Sequence, residues 1–276
     1  MSIYPGIGGT AKATSKLYLG VDGKARQLSK IYLGVGGTAK LVYTGGTPLR
    51  SLAVGKVVNL PFGGPKSYKE FLIVHQGIPD AKIYDSSCNG TWLMMKELHQ
   101  SIVWHESEMY FNDYENSKVR SWLDLICMMS FATGLISDKI KEVKIPYRPG
   151  GGKDTTVSSG ANGLSAKIFL PSATELGVTG DSNTVVPENE GATLAYFKGC
   201  NATKRDSRRI AYVGTKAYPW WTRSPACEST WTYPVYIDTQ GRFYSVGATN
   251  KRYVRPMIIL PSEMLVDPDT MILQTE

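Results

Sequence analysis

The chain has 276 residues, of which 42% are apolar and 20% are charged. It is long enough to bury a sizeable core in one large or two unequal domains. Its 28 glycines and 15 prolines favour a β-rich, loop-rich fold over a helical bundle. The opening residues have neither the basic start nor the apolar stretch of a signal peptide. The longest apolar run, residues 122–136, contains Asp124 and is too short to span a bilayer, so the sequence predicts a soluble protein without membrane insertion.

The N-terminal 43 residues repeat one 14-residue unit three times, as Ser2–Ser15, Lys16–Ser29 and Lys30–Tyr43. In each copy the third residue is Tyr, the fifth is Gly, and the seventh and eighth are Gly-Gly or Asp-Gly. Glycine there permits the positive φ of a two-residue turn, so each unit is predicted to form a β-hairpin. One hairpin is marginal alone, and we expect the three to share a buried face. Tandem hairpins ahead of a larger body indicate an attachment module at residues 1–46, a linker at Thr44–Pro48, and a second domain at residues 47–276.

After the linker the pattern changes to short apolar strands separated by turns. Strands are predicted at Leu52–Leu60, Glu70–Gln76 and Thr91–Glu97, and a short helix is predicted to begin within Leu98–Trp104. The clearest helix is Ser117–Phe131, where Asn116 or Ser117 can cap the first free amides. Apolar residues recur in it at helical spacing and predict one buried stripe, made of Val119, Trp122, Leu123, Ile126 and Cys127.

The rest of the chain alternates between loops and short strands. A strand at Ile140–Pro146 precedes an exposed loop at Tyr147–Asn162, and a strand at Ala166–Leu170 precedes a helical turn at residues 172–177. The last third is predicted to contain four short strands, at Trp220–Arg223, Val235–Asp238, Arg242–Val246 and Arg255–Leu260. This order of elements predicts an α+β domain with one compact sheet and long irregular loops.

Catalytic and metal-binding motifs occur only in incomplete form. His105-Glu106 begins like a zinc-protease motif, but Met109 stands where the second His is required. The GGGK of residues 150–153 has Tyr147 in place of the first glycine of a phosphate-binding loop. The segment 181–186 lacks the third ligand and the turn glycine of a calcium loop, and no serine triad is indicated. The sequence therefore predicts no catalytic residue, no metal and no cofactor.

The four cysteines show no CxxC spacing and have no His at ligand spacing; they are Cys88, Cys127, Cys200 and Cys227. Disulfide scaffolds are typical of small secreted chains, so free buried thiols are favoured over disulfides. A zinc site is not indicated.

Basic and aromatic residues are concentrated between residues 196 and 255. This stretch carries 11 basic and 3 acidic residues, a net charge of +8, and 12 of the 29 aromatic residues. Arginine with tyrosine and tryptophan is the composition of contact surfaces, since it combines large rigid area with forked donors. A β-core with a solvated basic rim is the alternative, and composition alone does not decide between the two.

Five motifs occur in order across the main domain: KVRSWLDLIC at 118–127, IFLPSATELG at 168–177, YPWWTRSPA at 218–226, DTQGRF at 238–243, and YVRPMIIL at 253–260. On these motifs, residues 51–265 resemble a poorly characterised family of bacterial and phage domains. That domain is similar to the C-type-lectin-like fold, in the variant shared by formylglycine-generating enzymes and by the diversified ligand-binding proteins of phage. The resemblance implies a small twisted antiparallel sheet that supports a loop-rich recognition face.

The sequence departs from the family pattern at two positions: Tyr253 replaces a usual Gly, and Thr222 replaces a common Leu. These changes leave the fold expectation intact and indicate an individual loop surface. The paired cysteines of formylglycine-generating enzymes have no counterpart, because Cys200 and Cys227 lie outside the comparable motifs. Oxidase activity is therefore not expected.

The resemblance also separates scaffold positions from ligand positions. Trp220 and Trp221 are expected to fill the core edge, and Arg223 and Arg255 to bind loop carbonyls or a carboxylate. Tyr and Asn at the positions between these anchors offer stacking and hydrogen bonds. The predicted ligand-facing residues are Glu228, Ser229, Trp231, Tyr233, Arg242, Tyr244, Thr249, Asn250, Arg252 and Tyr253.

Together these features predict a non-catalytic phage virion protein, part of a tail or head fibre, made in the host cytoplasm. Residues 1–46 resemble modules at the front of phage structural proteins and would bind other virion subunits. The lectin-like domain would bind a host-surface glycan or protein, as a homo-oligomer (a trimer is favoured) and as a target of a diversity-generating retroelement. The alternative is a decoration or adaptor protein of the virion with no external ligand. Nucleic-acid binding through residues 204–209 (KRDSRR) is a third hypothesis, and a solvated loop is favoured over it.

Overall fold

The computed structural model describes residues 6–7, 10–11, 17–21, 23–28, 30–35, 38–107, 112–150, 156–178, 189–200, 205–226 and 233–275. For the described residues between 6 and 44, the structure gives the course of the backbone. In the described part of the chain no helix is long and apolar enough to cross a membrane.

The described residues form 22 short strands and one interrupted helix. The strands are β1 Gly6–Ile7, β2 Thr10–Ala11, β3 Leu17–Val21, β4 Lys24–Leu28, β5 Lys30–Val35, β6 Thr38–Thr44, β7 Thr47–Pro48, β8 Val57–Pro61, β9 Tyr68–Gln76, β10 Thr91–Met95, β11 Ser101–Val103, β12 Val143–Ile145, β13 Leu164–Ala166, β14 Ile168–Phe169, β15 Tyr212–Val213, β16 Lys216–Ala217, β17 Trp220–Pro225, β18 Pro234–Ile237, β19 Phe243–Ser245, β20 Lys251–Tyr253, β21 Met257–Leu260 and β22 Leu265–Val266. The helix consists of α1 Lys118–Trp122, a π-helical turn Leu123–Cys127 and α2 Met128–Thr133. Short 3₁₀ helices lie at Leu49–Ser51, Ser86–Cys88, Gly160–Asn162, Ala195–Phe197 and Ser207–Arg209.

Each N-terminal repeat forms an antiparallel hairpin, as its sequence predicts. The pairs are β1 with β2, β3 with β4, and β5 with β6, each a separate two-stranded sheet. Gly23 has φ 72°, the left-handed conformation that the second residue of an Asp-Gly turn requires. For these strands the structure gives the backbone pairing and not the packing of the side chains, so a buried face shared by the three hairpins stays a prediction.

The main core is a five-stranded antiparallel sheet with the order β14-β21-β10-β9-β8. The central strand of this sheet is β10, and β21 lies beside it. All residues of these two strands are buried, which fits their continuous apolar sequences TWLMM and MIIL. The strand predicted from Leu52 begins only at Val57, because a 3₁₀ turn and Gly55, with φ 92°, come first.

The helix packs on this sheet through Phe131, whose ring lies 5.0 Å from that of Phe62 and 5.8 Å from that of Phe71. The Ser117 side chain accepts a hydrogen bond from the Arg120 amide, so the predicted cap is confirmed. The prediction that Ile126 is buried was wrong: its side chain is 49% exposed. The π turn of Leu123–Cys127 contains one extra residue relative to an α-turn and rotates Ile126 away from the core.

A second five-stranded sheet, with the order β11-β20-β17-β18-β19, carries most of the last third of the chain. Its β17–β20 pairing is parallel and the other pairings are antiparallel. The structure is thus α+β as predicted, with two such sheets where one was expected. The predicted helix at Leu98–Trp104 was also wrong, because Ser101–Val103 instead pairs with β20.

The residues just before Leu49 form a two-stranded sheet with a segment near the C-terminus. β7 pairs with β22, so Thr47 and Pro48 belong to a sheet and not to the predicted linker. A Cβ at Gly46 would lie 2.6 Å from the Leu265 Cβ, so this close approach requires glycine.

Candidate functional site

Seven of the ten predicted ligand-facing residues are described: Tyr233, Arg242, Tyr244, Thr249, Asn250, Arg252 and Tyr253. Glu228, Ser229 and Trp231 lie outside the described residues. The seven are distributed over β18–β20 of the second sheet and the turns beside these strands. The strand register decides which of them share a surface.

One face of the second sheet carries a continuous row of aromatic rings. Trp221 pairs with Tyr236, and Tyr236 pairs with Tyr244, so these three side chains point to the same side. The ring centroids of Trp221 and Tyr236 are 6.2 Å apart, and those of Tyr236 and Tyr244 are 6.1 Å apart. Trp221 is fully buried, whereas Tyr244 is 41% exposed, so the row leads from the core to the surface.

Two arginines cover this row. The guanidinium carbon of Arg252 lies 4.6 Å from the centre of the Tyr236 ring and 5.9 Å from that of Trp221. The guanidinium carbon of Arg242 lies 5.2 Å from the centre of the Tyr244 ring. We call the surface formed by Tyr236, Arg242, Tyr244 and Arg252 the arginine–tyrosine face. It offers aromatic area and guanidinium donors together, the combination that binding surfaces use.

The two arginines differ in charge compensation. Arg242 forms an ion pair with Asp238, with 2.7 Å between its Nη2 and Oδ2. Arg252 donates one hydrogen bond, from Nη1 to the carbonyl oxygen of Lys251 at 2.8 Å. Its Nε–H is buried and has no hydrogen-bond partner among the described residues. Arg252 therefore keeps an uncompensated positive charge as far as the described part of the chain shows.

A second group of aromatic residues packs against Trp221, the buried end of the ring row. The Trp104 ring lies 5.5 Å from that of Trp221, and the Tyr114 ring lies 5.8 Å from that of Trp104. Trp104 and Tyr114 are both fully buried, and the Trp221 indole donates to the carbonyl oxygen of Ile102 at 3.0 Å. The rings under the arginine–tyrosine face are thus held in one position.

The structure does not bring Tyr253 onto this face. Arg252 and Tyr253 are neighbours in β20, and successive strand residues point to opposite sides. Tyr253 instead contacts Tyr218, at 4.9 Å between ring centroids. The predicted ligand contact of Tyr253 would therefore lie on the other side of this sheet from Arg252 and stays a prediction.

The remaining predicted residues border the second sheet without joining the ring row. Asn250 donates from its backbone and side-chain nitrogens to the Gly247 carbonyl, each at 3.1 Å, and so closes its own turn. Thr249 lies in the same turn, and the half-buried Tyr233 accepts a backbone hydrogen bond from Ala226.

The predicted scaffold arginines make the kinds of contact that their motifs predict. Arg223 is fully buried and binds both oxygens of Glu175, at 2.6 and 2.8 Å, together with the carbonyl oxygens of Pro146 and Leu170. Two parallel N–H···O bonds of this kind are the strongest arginine–carboxylate geometry. Arg223 therefore ties β17 to the loops before and after β13–β14.

Arg255 joins the two large sheets. Its Nε donates to the Met95 carbonyl at 2.9 Å at the end of β10, and its guanidinium carbon lies 5.4 Å from the centre of the Trp220 ring in β17. Burial lowers the pKa of Arg255 to about 10. Trp220 is also fully buried and donates to the Arg209 carbonyl.

Glu190 adds a second carboxylate beside Arg223. It is fully buried, with 3.7 Å between its Oε1 and the Arg223 Nε. The Arg148 amide donates to Oε1 at 3.2 Å, and Oε2 contacts the Ser224 hydroxyl. Because Glu175 already occupies the guanidinium, burial dominates and raises the pKa of Glu190 to about 7.

The basic cluster at residues 204–209 is largely engaged in the fold. Arg208 pairs with Asp206 at 2.9 Å, and Arg209 is fully buried, where it donates to the Gly241 carbonyl. These contacts remove two of its charges from a free surface and weaken the nucleic-acid hypothesis. Lys204 lies outside the described residues.

An open surface cavity of about 570 Å³ lies between the helix and β13. Its carboxylates are Asp124, Asp138 and Glu142, and it contains none of the predicted ligand-facing residues. Arg120 pairs with Asp124, Lys139 with Asp138, and the Ser165 hydroxyl with Glu142. Among the described residues there is no group of three or more His, Cys, Asp or Glu that could hold a metal ion.

The described cysteines are free thiols. Cys88 and Cys127 are buried as predicted, and burial raises the pKa of each to about 12. Cys200 is only half-buried, and Cys227 lies outside the described residues.

Sequence reasoning missed Tyr236, Glu175 and Glu190. The alternation of Pro234–Ile237 could have indicated Tyr236, since it points away from the buried Val235 and Ile237. Glu175 and Glu190 lie 48 and 33 residues before Arg223, and no local pattern indicates that they meet it.

The comparison with known proteins covers most of the main domain. The family model described as "Domain of unknown function (DUF6273)" matches residues 89–262. The chain belongs to this family. The matched region holds both scaffold arginines, the buried carboxylates and the arginine–tyrosine face. No curated protein and no solved structure matches the chain.

Proposed function

We propose that the chain is a non-catalytic recognition protein that binds a host-surface ligand through the arginine–tyrosine face. The observation that carries this proposal is the ordered row from Trp221 to Tyr244 with Arg242 and Arg252 stacked on it. Rigid aromatic side chains give contact area at small entropic cost, and the guanidinium groups stacked on them give directional donors.

Under this proposal the protein is part of a phage virion, and its N-terminal hairpins attach it to other virion subunits. The support is the threefold hairpin repeat and its resemblance to modules of phage structural proteins. We further propose a C-type-lectin-like architecture for the main domain. In the described part of that domain, the small sheets, the interrupted helix and the long connections favour this assignment.

Binding of the fluorescently labelled full chain to a panel of intact bacteria tests the recognition role. Tyr244→Ala removes the most exposed ring of the face, and Tyr212→Ala is a matched control, because the two tyrosines are 41% and 43% exposed. We expect Tyr244→Ala to weaken binding at least about fivefold, as for a contact residue worth more than about 1 kcal/mol. Equal binding by the two variants, or no binding by the unaltered chain, would refute the proposal.

A second candidate function is structural, as a decoration or adaptor protein of the virion. It is favoured by exposed apolar residues on the outer side of the helix and just after its end: Leu125, Ile126, Met129 and Leu135 are 65%, 49%, 61% and 64% exposed. Neighbouring exposed apolar residues of this size mark protein contacts. In this account a second copy of the chain covers them, and the chain is a homo-oligomer.

Sedimentation of the unaltered chain and of a Leu125→Gln/Met129→Gln variant tests this second candidate. We expect a lower oligomeric state in the variant, with the free energy of unfolding of each subunit changed by no more than about 0.5 kcal/mol, since both side chains face solvent. The same monomeric state in both proteins would contradict it.

A further inference from the structure

We propose that the arginine–tyrosine face contains an anion subsite at Arg252, and that its ligand is an acidic glycan bearing a carboxylate or sulfate group. This inference rests on the proposed recognition role and specifies its ligand class.

The first step is the unused hydrogen-bonding capacity of Arg252. A guanidinium has five N–H donors. One Nη1 hydrogen binds the Lys251 carbonyl oxygen, and Nε–H is buried without a partner among the described residues. No described residue engages the remaining N–H groups of Nη1 and Nη2, which form one edge of the fork. That edge matches the two oxygens of a carboxylate or sulfate.

The second step is that the guanidinium is already positioned. It lies over both Tyr236 and Trp221, at 4.6 and 5.9 Å from the ring centres. Trp221 is fixed in turn by its own hydrogen bond to Ile102 and by the buried Trp104. A cation held in this way loses little freedom when a ligand binds, so more of the interaction contributes to affinity.

The third step is charge. Arg242, the other arginine of the face, is neutralised by Asp238 at 2.7 Å. Every other ion pair in the described part of the chain involves residues outside the face, and Arg252 takes part in none of them. The face therefore presents one oriented cation that no described carboxylate neutralises, and one anionic group of a ligand can pair with it.

The fourth step is the surface next to the cation. The Tyr236 and Tyr244 rings extend the face away from Arg252 and end at a tyrosine that is 41% exposed. Such rings pack against the CH groups of a sugar, and their hydroxyls can bind sugar hydroxyls. A nucleic acid would instead require several free cations along its phosphates, and Arg242, Arg208 and Arg209 are engaged elsewhere. An acidic sugar ring fits one cation followed by aromatic area.

The test is binding of the full chain to immobilised glycans in matched sets: neutral, carboxylated, carboxylate methyl ester, and sulfated. We expect the unaltered chain to bind carboxylated or sulfated glycans and to lose roughly 10- to 100-fold in affinity on methyl esterification, the worth of a charge-assisted hydrogen bond. The preferred acidic class identifies the anion. The ester comparison needs no variant, so it holds even if a substitution disturbs the fold.

Arg252→Gln should lose affinity for acidic glycans by the same factor, while Arg50→Gln should not. Arg50 is an exposed arginine paired with Glu263, so its loss changes the net charge equally. Equal affinity of Arg252→Gln and Arg50→Gln overturns the inference, as does equal binding of acid and ester. Binding of neutral glycans alone, or of acidic peptides and no glycan, also overturns it while leaving the recognition role intact. Failure of the recognition role itself appears separately, in the cell-binding comparison of Tyr244→Ala with Tyr212→Ala.

Discussion

Replacing Glu190 with Gln is expected to stabilise the protein at high pH relative to low pH. Glu190 is a second carboxylate beside Arg223, whose guanidinium is already bound by both oxygens of Glu175. A protonated Glu190 can donate to the Ser224 hydroxyl and accept from the Arg148 amide. The amide of a glutamine can make both contacts and carries no charge at any pH.

The size of the effect follows from the pKa of Glu190, which burial raises from 4.5 to about 7. At pH values below the pKa of the unfolded chain, the Glu190 carboxyl is protonated in both the folded and the unfolded state, so its ionisation does not change the free energy of unfolding. As pH rises through the interval between the two pKa values, the unfolded chain ionises first and stability falls. Above about pH 7 the loss is complete, and a shift of this size corresponds to about 3 kcal/mol. The glutamine variant does not incur this loss.

Urea denaturation followed by tryptophan fluorescence measures the difference. The free energy of unfolding of Glu190→Gln minus that of the unaltered chain should rise by about 3 kcal/mol between about pH 4 and about pH 9. A constant packing cost of the substitution cancels in this comparison. Glu142→Gln, at an exposed carboxylate, is the control and should show a change within about 0.5 kcal/mol. A flat difference would show that folding leaves the pKa of Glu190 unchanged, and a difference that falls with pH would show that Glu190 stabilises the fold as an anion; either result would contradict the prediction.

Two further predictions concern the turn at Gly241 and the thiols. Gly241→Ala should destabilise the fold by about 1–3 kcal/mol more than Gly214→Ala in urea denaturation. Both glycines have positive φ, but of the two only Gly241 is placed so that an added Cβ would meet a backbone oxygen, at 2.2 Å. Equal losses of stability in the two variants would contradict this prediction. Cys88 and Cys127 should resist a thiol reagent at about pH 8 until urea unfolds the chain, since with pKa values of about 12 only about one thiol in 10⁴ is ionised. Peptide mass spectrometry should find Cys200 labelled before Cys88 and Cys127, and early labelling of Cys127 would contradict its burial.

Local signals predicted much of the fold. The Asp-Gly and Gly-Gly pairs predicted the three strand pairings of the N-terminal repeats, and the cap at Ser117 predicted the start of the helix. The position of Ile126 could not be predicted, because its exposure depends on a π turn that the apolar spacing does not reveal. β20 has only three residues and was missed, so a two-residue alternation was not applied to Arg252 and Tyr253.

Long-range contacts explain the rest of what the sequence did not reveal. Tyr244 and Arg252 were predicted at the site, but their relation depends on Tyr236, which lies between them through strand register. Arg223 was expected to bind loop carbonyls or a carboxylate, and its carboxylate partner Glu175 comes from a distant turn. Such pairings follow from the order of strands in the sheets, which one sequence does not specify.

A crystal structure of the chain with an acidic glycan tests recognition by the arginine–tyrosine face most directly. The expected result is a sugar ring against Tyr236 and Tyr244, with its carboxylate or sulfate within hydrogen-bond distance of the Arg252 guanidinium. A glycan bound instead in the cavity between the helix and β13, with Tyr244 and Arg252 untouched, would contradict it.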